Sequence, residues 1–382
     1  MRLAIITHEY YPVLSGGVVF TEQMGRELSR MGWEVEVLTA RIGSAHPFHE
    51  RCDGFDVYRF RTARRSVGDS KLREHLSYFA MGLPQMLWHA RARKYDLMFS
   101  VFALPSGLIA HAISKVTTVP SVVFVDAADT PGIESAMKTY SDYLVSVFAL
   151  VTNGAAGVVL LEGIEDLARP HIHHDRVTQI PNGASLPERV AQPGARADRL
   201  HLLSIGRLVF RKGFQDIIEA LNLVKEERSD FQLNIVGYGR DEAAIREALS
   251  KSTVTDQVVL RGRVEYERLS ECYLDADAYL FYGRREGSSL AMIDATAYGL
   301  PIIASDHPGN RSYVRNGENG FLVEHGNHRA LADAILELFR HRERLAAFGR
   351  RSREIAEGYS WRRIAERYDA FFRQSIAQYR KR

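Results

Sequence analysis

Residues 279–301 read YLFYGRREGSSLAMIDATAYGLP. The apolar run at 279–281 is typical of a buried strand, and the glycine and serines that follow it predict a turn before a helix. In a parallel sheet this turn lies at the carboxyl edge, where α/β proteins bind ligands. A helix that begins near Ser289 directs free backbone N–H groups, including that of Leu290, and its positive dipole end at this edge. That arrangement suits a diphosphate.

Two acids in this segment, Glu286 and Asp294, stand eight positions apart. If the whole segment were helical, they would be separated by roughly 12 Å, about the reach from a hexose to a ribose across a diphosphate. One acid can then hold a sugar while the other holds the ribose. The alternative is an acid at a helix N-terminus followed by an ordinary buried helix, which is the commoner explanation for an isolated pair.

A second loop supports the ligand interpretation, since GRLVFRKG at 206–213 follows the first predicted strand of the same half. Arg207 can fork onto phosphate oxygens and Lys212 can add a mobile point charge. The two cations would neutralise a leaving diphosphate without a metal. Taken singly, such residues are usually surface charges.

Short apolar runs alternate with amphipathic stretches throughout the chain, which predicts parallel sheets covered by helices. With 382 residues, two α/β domains are expected. A composition shift after Asn182-Gly183, to prolines, Gly194 and arginines, predicts a linker. We therefore assign 1–186 and 362–382 to one domain and 187–361 to the other. The predicted strands are 3–7, 35–39, 57–60, 97–101, 121–125, 157–161 and 177–180, then 200–205, 232–236, 258–260, 278–281, 302–304 and 321–323. The predicted helices are 21–28, 216–227, 242–250, 290–298, 329–340 and 361–382.

Charge and cysteine content narrow the functional classes. The formal net charge of +3 is too small to indicate a nucleic-acid partner. Only Cys52 and Cys272 occur, without metal-ligand spacing, which suits a reducing, cytoplasmic setting. No cleavable signal precedes the first strand. The uncharged stretch 143–161 has nearly the length of a membrane span, but Asn153-Gly154 divides it, and we predict a helix, a turn and a buried strand.

Local basic runs at 59–73 (Arg59, Arg61, Arg64, Arg65, Lys71, Arg73) and 380–382 suit peripheral contact with an anionic membrane, although a solvated face is the ordinary interpretation. An apolar segment between Leu76 and Leu87 suits a lipid-linked acceptor, or is simply a helix face.

The second half resembles the retaining glycosyltransferases of family 4, which have the GT-B fold. The similarity is carried by the Gly-Arg…Lys-Gly loop, the acid pair and the Gly299-Leu300-Pro301 turn. Asp294 stands where the family has Glu, and Ser288 replaces a usual aromatic residue. The resemblance implies an α/β architecture of two Rossmann-like domains facing across a cleft, with a C-terminal helix after Trp361 that crosses back to the first domain.

Further similarity extends over most of the chain. Gly16-Gly17 resembles the family's glycine loop beside the donor phosphates and the acceptor, although such a pair alone is more often a turn. The loop at 236–239, which contains Gly237, resembles a nucleotide-side loop. Arg263 and Val264 resemble the segment that borders the base. Ile180-Pro181-Asn182-Gly183 resembles the end of the first domain.

On the acceptor side, many family members carry a histidine where this chain has Asp126, after the strand at 121–125. A carboxylate can orient or partly deprotonate a hydroxyl. Its alternative role is a turn cap, since Asp129 and Thr130-Pro131 follow. His8, Glu9 and Tyr10 follow the first strand and are weaker candidates for contact with acceptor or sugar.

Two patterns that imitate metal sites are set aside. Asp275-Ala276-Asp277 precedes its strand and lacks flanking ligands, and His171, His173 and His174 fit a polar turn better than a zinc site. No metal or other cofactor is expected.

The sequence thus predicts a retaining, metal-independent transferase that moves a hexose-type sugar from a nucleoside diphosphate donor to a hydroxyl of a glycan, a lipid-linked sugar or a small molecule. Arg207, Lys212, Glu286 and Asp126 are the candidate catalytic residues. Gly16, Gly17, Gly237, Arg263, Val264, Ser288, Ser289, Leu290 and Asp294 are further donor-side candidates. A nucleotide-sugar epimerase or hydrolase of the same fold, or a glycan-binding protein without catalysis, is the alternative.

Overall fold

A computed structural model describes residues 1–13, 15–43, 46–64, 72–132, 142–196, 198–265, 268–284, 287 and 289–381. The chain forms two compact units: Met1–Asn182 with Trp361–Arg382, and Gly183–Ser360. The prediction divided the chain at 186/187 and 361/362.

The first unit is built on a sheet of eight strands in the order β3-β4-β2-β1-β5-β6-β7-β8. All neighbouring strands are parallel except the edge pair β3 and β4. The strands are β1 Arg2–Ile6, β2 Glu34–Ala40, β3 His49–Arg51, β4 Asp56–Phe60, β5 Leu97–Val101, β6 Ser121–Val125, β7 Gly157–Leu160 and β8 Val177–Gln179. The helices are α1 Gly16–Arg30, α2 Leu72–Ser77, α3 Leu83–Arg93, α4 Leu108–Thr117, α5 Asp142–Gly154 and α6 Glu165–Ala168.

The second unit has a fully parallel sheet of six strands in the order β11-β10-β9-β12-β13-β14. Its strands are β9 Leu200–Ile205, β10 Phe231–Val236, β11 Val258–Gly262, β12 Ala278–Phe281, β13 Ile302–Ser305 and β14 Gly320–Val323. Its helices are α7 Phe214–Glu227, α8 Glu242–Ser250, α9 Leu269–Leu274, α10 Leu290–Ala297, α11 Pro308–Arg311, α12 His328–Arg340 and α13 Leu345–Gly358.

Buried apolar strands explain this architecture. Each strand predicted from an apolar run is present, and the central runs are buried on both faces. The strands β8 and β11, at the ends of their sheets, are only partly buried. The edge strand β3 has only exposed residues and gave no apolar signal. The uncharged stretch 143–161 divides into α5 and β7 as predicted. Among the described residues, no helix combines the length and apolar character needed to cross a bilayer.

The C-terminal helix, α14 Trp361–Tyr379, belongs to the first unit. Tyr368 packs edge-on against Phe20 with ring centroids 5.8 Å apart, and Phe372 lies 5.0 Å from Phe99. The Trp33 indole N–H donates to the Asp369 carboxylate at 2.7 Å. The aromatic face predicted for this helix is therefore buried on the first unit, which confirms the return of the chain to that unit.

The predicted linker is attached to the second unit. The backbone N–H of Ala191 donates to the carbonyl of Tyr298 at 2.8 Å, and that of Gly194 donates to the Asp277 carboxylate at 2.8 Å. The other oxygen of Asp277 accepts from the N–H of His201 at 2.9 Å. Asp277 thus joins the linker to the start of β9.

Candidate active site

The carboxyl edge of the second sheet is formed by loops in direct backbone contact. The N–H of Gly206 donates to Val236 O at 3.0 Å, and that of Leu208 donates to Tyr238 O at 3.0 Å. A Cβ atom at Gly237 would lie 1.9 Å from Gly206 O, and one at Gly239 would lie 2.3 Å from Leu208 O. These glycines are required because no side chain fits between the loops.

A third loop, the one after β12, joins the same edge by contact with Gly213. This residue has a φ of 73°, and a Cβ atom there would lie 2.1 Å from Tyr282 O, just after β12. The N–H of Arg284 donates to Arg211 O at 2.7 Å. The loops after β9, β10 and β12 therefore form one rigid backbone assembly.

Both candidate cations lie on this assembly. Arg207 is exposed, whereas Lys212 is half-buried, with its Nζ 5.3 Å from the centroid of the Phe281 ring. The short 3₁₀ turn Phe210–Lys212 ends at Gly213, which positions Lys212 over the end of β12. The structure thus brings Arg207 and Lys212 to the carboxyl edge that the sequence predicted.

The helix after the serine-rich turn is α10, and it begins at Leu290, which is the start of the predicted helix 290–298. Ser289 precedes it in extended conformation, and its side chain makes no capping hydrogen bond. First-turn amides of a helix have no partner within the helix and attract anions. Glu286 and Ser288 lie outside the described residues, so the predicted spacing of the acid pair is not measured.

Asp294 lies in the middle of α10 and is half-buried. Burial raises the pKa of its carboxyl to about 7. A carboxyl group with this pKa is partly protonated near neutral pH and can both donate and accept a hydrogen bond.

Arg263 and Val264 follow β11. The guanidinium of Arg263 lies over the ring of Tyr238, 5.6 Å from the centroid, and this ring is 51% exposed. Val264 is partly buried against the apolar core. Tyr238 was not singled out from the sequence, although an exposed aromatic residue between two glycines is a usable signal for a stacking surface.

In the first unit, a compact polar cluster follows β1. The Glu9 carboxylate accepts from Ser15 Oγ at 2.9 Å, and it lies 3.5 Å from His8 Nε2 and 3.9 Å from a guanidinium nitrogen of Arg64. Burial would raise the pKa of Glu9, but His8, Ser15 and Arg64 outweigh it and lower the pKa to about 2.

His75 completes this cluster from α2. Its ring centroid lies 5.2 Å from that of His8. Burial, together with the charges of His8 and Arg64, lowers the pKa of His75 to about 4. The sequence indicated His8 and Glu9, but it did not indicate His75 or this role of Arg64, because they come from a distant segment.

Gly16 and Gly17 form the first turn of α1, which Ser15 caps by accepting from the Val18 N–H at 3.4 Å. A Cβ atom at Gly17 would lie 2.7 Å from the ring of Phe102. The Phe102 ring in turn lies 5.5 Å from that of His8. Gly17 therefore makes room for an aromatic ring beside His8.

Tyr10 is 3% exposed, and Arg59 lies 5.8 Å over its ring. The structure thus places Tyr10 within the packing of the unit, whereas His8 belongs to the polar cluster.

Asp126 directly follows β6 and caps the 3₁₀ turn Ala127–Asp129, accepting from the N–H of Ala127 at 2.5 Å. Asp129 reciprocates by accepting from the N–H of Asp126 at 2.9 Å. Burial, with the nearby charge of Asp126, raises the pKa of Asp129 to about 8. The capping alternative is therefore realised, and the role of Asp126 toward an acceptor stays a prediction.

The basic run at 59–73 is not simply a solvated face. Arg59 is buried and pairs with Glu50 at 2.7 Å, and Arg64 is buried against the carbonyl of His8 at 3.0 Å. Arg61 and Arg73 are exposed, and Arg65 and Lys71 lie outside the described residues. The interpretation of the run as a solvated face is wrong for Arg59 and Arg64, because both side chains are buried within the first unit.

Family comparisons follow the same division of the chain. The Glycosyl transferase 4-like domain family matches residues 15–183, and the Glycosyl transferases group 1 family matches residues 187–355. The chain belongs to the group 1 glycosyltransferases. This confirms the predicted family and the GT-B fold.

Among individual relatives, the glycosyltransferase is 29% identical to the GtfA subunit of the UDP-N-acetylglucosamine–peptide N-acetylglucosaminyltransferase of Streptococcus parasanguinis. That match covers 60% of this chain and 46% of GtfA. A match to the amylovoran biosynthesis glycosyltransferase AmsK of Erwinia amylovora, at 30% identity, covers 44% of each chain. The chain therefore spans less than half the length of these relatives.

Solved structures match over nearly the whole glycosyltransferase. Sucrose-phosphate synthase from Thermosynechococcus elongatus superposes with a TM-score of 0.84 at 20% identity and covers 99% of both chains. HepE of Anabaena, solved in complex with UDP and glucose, has a TM-score of 0.75 at 15% identity and covers 97% of this chain and 98% of HepE. At these identities the likeness shows the fold.

Proposed function

We propose that this glycosyltransferase moves a hexose-type sugar from a nucleoside diphosphate donor to an acceptor hydroxyl, with retention of the anomeric configuration. The observation that carries the proposal is the carboxyl edge of the second unit, where glycines allow direct backbone contact between loops. There Arg207 and Lys212 share one rigid backbone assembly with the loop that leads to α10. A diphosphate fits such an edge, because cations and helix amides together stabilise phosphate oxygens.

In the proposed reaction, the bond between the anomeric carbon and the phosphate oxygen breaks while the acceptor oxygen bonds to that carbon from the same face. The acceptor proton passes to an oxygen of the departing phosphate. Negative charge grows on the diphosphate, and Arg207, Lys212 and the amides at Ser289 and Leu290 stabilise it. Glu286 and Ser288 would contact the sugar of the donor.

The nucleoside would lie against Tyr238 and the segment Arg263-Val264, since the Tyr238 ring is exposed and already carries a guanidinium on one face. Asp294 would hold the ribose, and its raised pKa allows it to donate to a ribose oxygen near neutral pH. We propose uridine as the base to test first, because GtfA is named for a UDP-sugar and HepE was solved with UDP.

On the first unit, the Glu9 carboxylate holds His8, and Gly17 admits the Phe102 ring beside it. We propose that His8 and Asp126 orient the acceptor hydroxyl, which belongs to a glycan, a lipid-linked sugar or a small molecule. The proposed setting is the cytoplasm, at the inner membrane face, and the two free, partly buried thiols of Cys52 and Cys272 suit it.

A two-stage experiment tests this function. Thermal-shift screening of nucleotide-sugars identifies the donor by its stabilisation of the folded protein. NMR of the product formed with candidate acceptors then reads the anomeric configuration, with and without EDTA. We expect an unchanged configuration and full activity in EDTA. An inverted product overturns the retaining mechanism, and loss of activity in EDTA overturns metal independence. Donor consumption that yields only the free sugar or its epimer overturns transfer.

A further inference from the structure

The segment 72–93 presents two different faces. It runs through α2, a π-helical turn Tyr78–Gly82 and α3. Its inner face belongs to the polar cluster, since the Tyr78 hydroxyl donates to Thr7 O at 3.0 Å and His75 lies beside His8.

Large apolar side chains occupy the outer face. Trp88 is 73% exposed, Leu76 is 61% exposed and Met81 is 44% exposed. Ala80 and Pro84 between them are exposed as well. Spacings of three to five residues bring these side chains to one side of a helical segment. A contiguous apolar surface of this kind on a folded protein marks an interaction site.

Positive charge flanks this apolar surface. Arg73 is exposed before it, and Arg91 and Lys94 are exposed after it. The acid between residues 72 and 94 is Glu74, which is buried. The outer face of this segment therefore offers cations and apolar side chains without an exposed carboxylate.

We propose that the outer face, Leu76–Trp88 with Arg73, Arg91 and Lys94, docks on an anionic lipid bilayer. Tryptophan and aliphatic side chains enter the boundary between headgroups and acyl chains, while arginine and lysine pair with lipid phosphates. The exposed charges within the described segment 72–94 are all cationic, and such charge complements an anionic membrane surface. The helical segment lies on the membrane and does not cross it.

This docking deepens the proposed function but is tested apart from it. Because the segment 72–93 also contributes His75 and Tyr78 to the polar cluster after β1, docking holds that edge of the first unit close to the lipid headgroups. If the proposed acceptor role of the edge is correct, a lipid-linked sugar is the substrate class that benefits.

The experiment is co-sedimentation of the full chain with vesicles of phosphatidylcholine alone or mixed in equal parts with phosphatidylglycerol. The test variants are Trp88→Ser with Met81→Ser, and Arg73→Glu with Arg91→Glu. Val190→Ser and Arg350→Glu are matched controls, since both residues are exposed on the second unit. Thermal unfolding and stabilisation by UDP show whether each variant keeps its fold and its donor site.

We expect binding to the mixed vesicles that weakens as salt rises. The apolar variant should lower the partition coefficient by at least about tenfold, and the charge variant should lower it by about fivefold or more for each arginine. The controls should bind like the wild type. No sedimentation above the phosphatidylcholine level, or equal binding of test and control variants, overturns the proposal. If the chain does not bind vesicles but forms a dimer that Trp88→Ser dissociates, the face binds a second copy of the chain instead.

Discussion

The carboxyl edges of the two sheets differ in chemistry, although the sheets are built alike. In each unit the first strand, β1 or β9, lies inside the sheet between two parallel neighbours. The edge of the second unit is made of backbone, since Gly213, Gly237 and Gly239 let loops touch without side chains. The edge of the first unit is made of side chains, with Glu9, His8 and their neighbours in one partly buried network. In the proposed function, the backbone edge of the second unit binds the diphosphate, and the side-chain edge of the first unit orients a single hydroxyl.

The charge of the second edge gives the largest expected effect. Lys212→Ala should lower kcat by about 10²–10³, because one preorganised partner of the developing charge is lost. The measurement is steady-state kinetics with the identified donor. Lys251→Ala is the control, since this exposed lysine directly follows α8 and pairs with Glu247. Activity within a few-fold of the wild type would remove Lys212 from the proposed chemistry.

The backbone contact at the second edge can be broken at Gly237. Gly237→Ala places a Cβ atom 1.9 Å from Gly206 O, at a φ of 147°, and should lower the free energy of unfolding by about 3 kcal/mol. Gly262→Ala is the matched control, because its φ is 70° but no atom lies within 4 Å of the new Cβ. It should cost about 1 kcal/mol. Urea unfolding of both variants measures the difference, and equal losses would show that backbone contact is unimportant.

The network of the first edge predicts a pH effect. The folded state holds the pKa of His75 at about 4, against about 6.5 for an unperturbed histidine. As pH falls, His75 is therefore protonated in the unfolded chain before it is protonated in the folded protein. The stability contributed by neutral His75 is complete above pH 6.5 and falls as pH drops toward 4. Between pH 6.5 and pH 4, the loss in the free energy of unfolding should be smaller by about 2 kcal/mol in His75→Gln than in the wild type.

Urea unfolding at neutral pH and near pH 5 measures this effect as the difference between wild type and variant. His173→Gln is the control, since His173 is exposed in a loop. Parallel pH profiles for the wild type and His75→Gln would contradict a neutral, half-buried His75.

The smallest effect is expected at the aromatic surface of the second edge. Tyr238→Ala should weaken donor binding by about five- to tenfold, because it removes an exposed ring and the support for Arg263. Calorimetric titration of the donor measures it, with the exposed Tyr143→Ala as control. Equal affinity in the two variants would place the base elsewhere.

The fold could be predicted because its central strands are buried on both faces and read as continuous apolar runs, such as 121–125 and 278–281. The edge strand β3 and several helices, among them α4, α9 and α13, were not predicted. β3 is fully exposed, and α13 follows the 3₁₀ turn Arg342–Arg344 in a stretch rich in arginine. Local patterns carry little signal where tertiary contact decides the structure.

The candidate site was predictable to the extent that its residues follow strands. Arg207, Lys212 and His8 were identified in this way, and each lies at the carboxyl edge of its sheet. His75, Arg64 and Phe102 were not assigned to the site, because they reach His8 from distant parts of the sequence. Asp126 could be read as a cap or as an acceptor group, and spacing alone did not separate these roles.

The most direct test of the central claim compares a nucleoside diphosphate with its nucleoside by calorimetric titration, in the wild type and in the double variant Arg207→Ala with Lys212→Ala. We predict that the diphosphate binds at least about a hundredfold more tightly in the wild type. Most of this preference should disappear in the variant while nucleoside affinity is kept. A variant that retains the full preference for the diphosphate would contradict the assignment of the second unit's edge as the diphosphate site.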